Sequence, residues 1–182
     1  MTPQQLAKSR IWFTSLVTLI IFTMLIWQYL HDGVPSHHLL HRADLPAISN
    51  WWGGLLLPSL SWFLLGRIGN RIQQQSSDKT IGYQKNLLIG FVCSLLYGAL
   101  LSLAFLNGLT QISSSLFFGI LLIAIFIRVY REQFILGFIL SMSITFGAVL
   151  PTIFASLIGI ASAIVYFIVQ FIRQKLSQLF FS

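Results

Sequence analysis

The sequence predicts an all-α integral membrane protein, a single domain of residues 1–182 forming a bundle of six transmembrane helices, and three observations carry that reading. The first is the scarcity of charge. Only 8% of residues are charged and 56% are hydrophobic, with a mean hydropathy of +0.83, whereas an ordinary soluble domain carries about 25% charged residues. The second is the length of the apolar runs, several of which approach the ~20 residues a helix needs to cross a bilayer core of ~30 Å. The third is where the basic residues lie. With six crossings and both termini in the cytoplasm, Lys8, Arg10, Arg67, Arg71, Lys79, Lys85, Arg128, Arg131, Arg173 and Lys175 all fall inside, and Arg42 alone falls outside. Retention of positive charge on the cytoplasmic side is the expected bias of a multi-pass inner-membrane protein.

The first helix is expected over 11–30, a charge-free run with Trp12 near one end and Trp27 and Tyr29 near the other, suited to the two interfaces. The run is too long for a signal peptide, and Trp27-Gln28-Tyr29-Leu30 offers no small-residue cleavage site. An outer loop over 31–48 follows, and the second helix spans 49–66 with Pro58 near its middle, where a missing amide predicts a kink. The polar stretch 67–85 reads as a mobile cytoplasmic loop. The third helix, 86–106, carries Gly90, Ser94, Gly98 and Ser102 at intervals of four, a row that lets another helix approach closely.

The fourth helix is expected over 116–129, with Arg128, Arg131 and Glu132 marking its end. The apolar stretch beyond it is too long for one crossing, and Pro151 divides it into a fifth helix over 134–150 and a sixth over 153–172. Gly137, Ser141 and Thr145, and separately Ala155, Gly159 and Ala163, form further rows of small residues. No internal repeat relates the halves, and apart from Arg128 no ionisable side chain other than cysteine or tyrosine lies within the expected crossings. Both facts disfavour an ion-coupled transporter, leaving at most a facilitator for an uncharged solute.

Chemistry is concentrated in the outer loop. All four histidines, His31, His37, His38 and His41, lie there with Asp32 and Asp44, two of the four acidic residues. Ser36 after Pro35 is a fitting helix start, and on a short helix His37, His41 and Asp44 stand at i, i+4 and i+7, on one face. Such neighbours have Cβ atoms ~5–6 Å apart, close enough for two imidazoles to meet one ion. His31 completes a nitrogen and oxygen ligand set for a divalent metal, which suits zinc best, with iron and copper also accommodated. His38 or Asp32 then moves protons, and Ser49 or Asn50 orients a substrate or stabilises a developing oxyanion. The structural alternative is a polar interfacial patch beside Trp51 and Trp52, with Ser49-Asn50 serving only to cap the second helix.

Two function classes follow. One is a metal-dependent hydrolase acting on a lipid or other amphiphile. The other is a non-catalytic subunit or assembly factor whose small-residue faces dock a membrane-protein partner or a second copy. Nucleic acid is not an expected partner, because the net charge of +7 is spread singly between apolar runs. Cys93, the single cysteine, has no disulfide partner and no thiolate companion for a metal.

Overall fold

The structure, a computed structural model, describes residues 2–31, 33–38, 47–75 and 77–180, and for residues 37, 38, 77–80, 125, 173 and 176–180 it describes the backbone alone. Among these residues it is helical apart from one small hairpin. The helices are α1 (Pro3–His31), α2 (Trp51–Gln73), α3 (Ser77–Leu106), α4 (Thr110–Phe126), α5 (Glu132–Phe146) and α6 (Val149–Phe180). Strands β1 (Ser36–His38) and β2 (Ala47–Ser49) lie between α1 and α2. Three helical stretches are long and apolar enough to cross a membrane: Pro3–His31, Ile81–Leu106 and Val149–Ile172. The apolar parts of α4 and α5 are shorter, and α2 carries Asn70, Arg71 and Gln73 in its last turn.

Four boundaries differ from those expected, each for a local reason. Helix α1 begins eight residues early because Thr2 and Gln5 form a capping box: the Thr2 amide donates to Gln5 Oε1 at 2.8 Å and the Gln5 amide to Thr2 Oγ1 at 3.3 Å. Pro3 occupies the first helical position, where its missing amide costs nothing. The expected loop over 67–85 is nearly all helix. Hydropathy marks the membrane boundary and not the helix end, and Arg, Gln and Lys extend helices readily in water. Pro151 sits in the first turn of α6, while the break falls at Gly147, whose φ of 70° makes the turn. Helix α4 begins at Thr110 and stops at Phe126, before the extended Ile127.

Contacts fix the direction of each helix. Arg10, early in α1, donates from Nε to the Trp62 carbonyl in α2 at 2.8 Å and lies 3.8 Å above the Trp62 ring, while Gly53 and Gly54 at the start of α2 lie against Ile21, Phe22 and Leu25. These two helices are therefore antiparallel. Helices α3 and α5 run parallel, since Gly90 meets Phe134, Ser94 meets Gly137, Gly98 meets Ser141 and Phe105 meets Phe146. Helices α4 and α6 also run parallel: Phe117 packs on Phe154, and Ser162 donates to the Ala124 carbonyl at 3.2 Å. Along the chain, direction alternates.

The core centres on α5, where Phe138, Ile139, Met142 and Phe146 are buried together with Leu25, Leu57 and Leu101. The small-residue rows of α3 and α5 interlock, so their backbones meet almost directly. At 15 residues α5 is about 22 Å long, short for a lipid-facing span. Helices α2, α3 and α6 pack around it and bury most of its surface.

Candidate functional site

At Ser36–His38, where the short helix is expected to begin, the chain is a strand instead. Ser36, His37 and His38 are extended and pair antiparallel with Ser49, Ile48 and Ala47, and the Asn50 amide adds a bond to the Pro35 carbonyl at 3.0 Å. Serine and histidine are weak helix formers, and the strand after Pro46 offers this segment a backbone partner. His37 therefore does not stand in the first turn of a helix. Asp32, His41 and Asp44 lie outside the described residues.

His31 ends α1, exposed, its ring stacked on Trp27 at 3.8 Å between centroids with Nδ1 3.0 Å from the Trp27 carbonyl. A carbonyl only accepts, so in this contact Nδ1 is the donor. Ser49 Oγ is 3.4 Å from the Trp51 amide, a long contact. Asn50 is buried at the start of α2 and makes no side-chain cap. Among the described residues no three His, Cys, Asp or Glu side chains gather as a metal site would require.

At the opposite end lies an ionic cluster that the sequence reading missed. Glu132 does not close the fourth helix. It opens α5 and is buried, with Arg67 donating from Nε to Oε1 at 2.8 Å and Arg71 Nη1 lying 2.9 Å from Oε2. Gln133 beside it is equally buried. The available signal was that Arg67 and Arg71 stand four apart, on one helix face, and that a lone carboxylate opens an apolar stretch. Arg128 lies over the Tyr166 ring at 4.4 Å, and neither it nor Arg131 pairs with a carboxylate among the described residues.

Between this end and the bundle centre is a half-enclosed cavity of about 200 Å³. Cys93, Ser94 and Tyr97 of α3 form one wall, Ile120 and Ile123 of α4 another, and residues of α5, α6 and the α4–α5 connection, among them Phe134, Ala155 and Ile158, the rest. Its hydroxyl groups are already engaged: Ser94 Oγ donates to the Phe91 carbonyl at 2.9 Å, and the Tyr97 hydroxyl donates to the Leu116 carbonyl. The surface it offers is therefore apolar. A second cavity, of about 270 Å³, lies beside α4 toward the other end, against Phe117, Phe146 and Phe154. Helix α4 is thus underpacked along its length, with Ala124 its only buried residue among those described.

Comparison of the chain with protein-family models, with curated proteins and with solved structures gives no match.

Proposed function

We propose that this chain is a six-crossing inner-membrane protein, with both termini in the cytoplasm, that binds an amphiphile between α3, α4, α5 and α6 as a non-catalytic component. The observation that carries this reading is the cavity at Cys93, whose hydroxyl groups are internally satisfied, so that it attracts an alkyl chain and offers no nucleophile paired with a base. Its volume of about 200 Å³ exceeds the roughly 150 Å³ at which a dry apolar cavity takes up benzene. The alternating helix directions support six crossings, because Arg10, Arg67, Arg71, Arg128 and Arg131 then share the end that the positive-inside bias assigns to the cytoplasm.

Native mass spectrometry of the purified full chain, delipidated and then given phosphatidylglycerol and phosphatidylcholine of equal chain length, tests the reading. Wild type should retain about one phospholipid. Ile123→Phe and Ala155→Leu, which fill the cavity, should lose it while keeping or raising the melting temperature. Absence of bound lipid in wild type, or undiminished retention in both folded variants, overturns the proposal.

A second reading, a divalent-metal site on the outer face, is favoured by His31. Its Nδ1–H is held by a backbone carbonyl, the arrangement that orients metal-binding imidazoles for ligation through Nε2. His37, His41 and Asp44 would be the other ligands, with Asp32 or His38 in support and zinc the best-suited ion; a bound metal would activate water for hydrolysis of an amphiphile. Elemental analysis of wild type and of His31→Ala and His37→Ala/His41→Ala variants decides it. One zinc per chain in wild type only, stabilising at pH 7 and less at pH 5 because ligation needs neutral imidazole, supports the site. No metal and an unchanged melting temperature with chelator remove it.

A further inference from the structure

The cavity beside α4 has a charged rim. Ile127 and Val129 line it, and the connection from α4 to α5 that carries them also holds Arg128 and Arg131. Arg128 is exposed and lies with its guanidinium over the Tyr166 ring. That stacking uses the face of the group and leaves its edge N–H donors directed outward. Arg131 precedes α5, is half-buried, and has no carboxylate partner among the described residues. The nearest acid in sequence, Glu132, is held by Arg67 and Arg71. Among the described side chains, the end of α2 and the α4–α5 connection therefore present four arginines against one compensated carboxylate, beside an apolar cavity.

We infer that the rim and the cavity form one site for an anionic phospholipid of the cytoplasmic leaflet, with an alkyl chain against Ile123, Phe134 and Ile158 and the phosphate at Arg128 and Arg131. The inference rests on the amphiphile-binding reading and adds the head-group class and the leaflet. Charge complementarity selects this occupant: a second helix would bring apolar side chains to the cavity but leave the two guanidinium groups without an anion. Basic pockets between transmembrane helices on the cytoplasmic side recognise lipid phosphate in this way.

The test is competitive retention of phosphatidylglycerol against phosphatidylcholine of equal chain length, read by native mass spectrometry at low and high salt. Two basic residues near a membrane surface together give roughly a 30-fold preference for the anionic head group at low salt, less when charges are screened. Arg128→Gln/Arg131→Gln should reduce the preference to about threefold or less, on the same grounds. Arg128→Lys/Arg131→Lys should keep most of it, and Lys8→Gln/Lys85→Gln, which removes equal charge elsewhere, should leave it intact.

Equal retention of both lipids by wild type, with both lost on filling the cavity, overturns the head-group assignment and leaves amphiphile binding standing. A preference that survives loss of both arginines overturns it too. Retention of phosphatidylglycerol after the cavity is filled puts the anion on the surface alone and overturns both readings, as does stoichiometric occupancy by a partner helix in place of lipid.

Discussion

Substitution of Gly137 by alanine addresses the α3–α5 seam directly. A Cβ added there would lie 2.5 Å from the Phe91 carbonyl oxygen and 3.1 Å from the Leu95 amide nitrogen, both backbone atoms of the facing helix. Comfortable contact needs about 3.5 Å or more, so α5 has to back away by roughly 1 Å, because neither obstacle can rotate aside. Overpacking of this kind costs about 1–3 kcal/mol, and the better helix propensity of alanine returns up to about 1 kcal/mol. The net loss expected is about 1–2 kcal/mol, or roughly 2–8 °C in melting temperature for a chain of this size. Gly69→Ala is the control: nothing lies within 4 Å of its added Cβ, so stability should hold or rise. Gly98→Ala should fall between them, since there the side chain of Ser141 is the nearest obstacle and can turn away, giving up its 3.0 Å bond to the Phe138 carbonyl. Thermal unfolding of the three variants in one mild detergent decides the matter. A Gly137→Ala protein as stable as Gly69→Ala refutes direct backbone contact at this seam.

Two further perturbations test the charged end and the membrane topology. Glu132→Gln should destabilise by about 1–3 kcal/mol, below the 3–5 kcal/mol of a fully buried pair, because the Arg67 and Arg71 side chains are 55% and 33% exposed and regain water. Arg67→Gln should cost less, since Arg71 still holds the carboxylate, and equal melting temperatures for the two variants would contradict a shared ion pair. In a Cys93→Ser background, Ser36→Cys should label from outside the membrane and Gln75→Cys from the cytoplasm; the reverse pattern would invert the orientation.

The helix order and the close-packing rows were legible in the sequence because both follow from side-chain size and apolarity, which lipid-embedded helices express directly. Gly90, Ser94, Gly98 and Gly137 meet across one seam as their spacing implied. The extent of the helices was less legible. The Thr2–Gln5 capping box is written in the sequence, but hydropathy passes over a polar turn outside the membrane. Pro151 drew attention as a breaker although proline is at home in a first helical turn, and Gly147 did the breaking. At the candidate sites, Glu132 was hidden because pairing with Arg67 and Arg71 is a long-range event, 65 and 61 positions apart in the chain. At Ser36–His38 the difference has the same origin, since a local helical spacing is outweighed there by strand pairing with residues 47–49.

The enclosure of α5 has a consequence for synthesis on the ribosome. Helix α3 leaves the exit tunnel well before α5, and on the proposed six-crossing topology the face it will share with α5 must stay unclaimed while α4 is made and released sideways into lipid. The sparse packing of α4 suits that order, because a helix held loosely can yield its place to a later arrival. Helix α5 itself, short and headed by Glu132 and Gln133, is a reluctant partitioner into bare lipid and gains its partners on entry. Nascent chains released after residue 131 should therefore be cleared by membrane quality-control proteases faster than the full chain, with pulse-chase half-life as the readout, and equal half-lives would contradict this order of assembly.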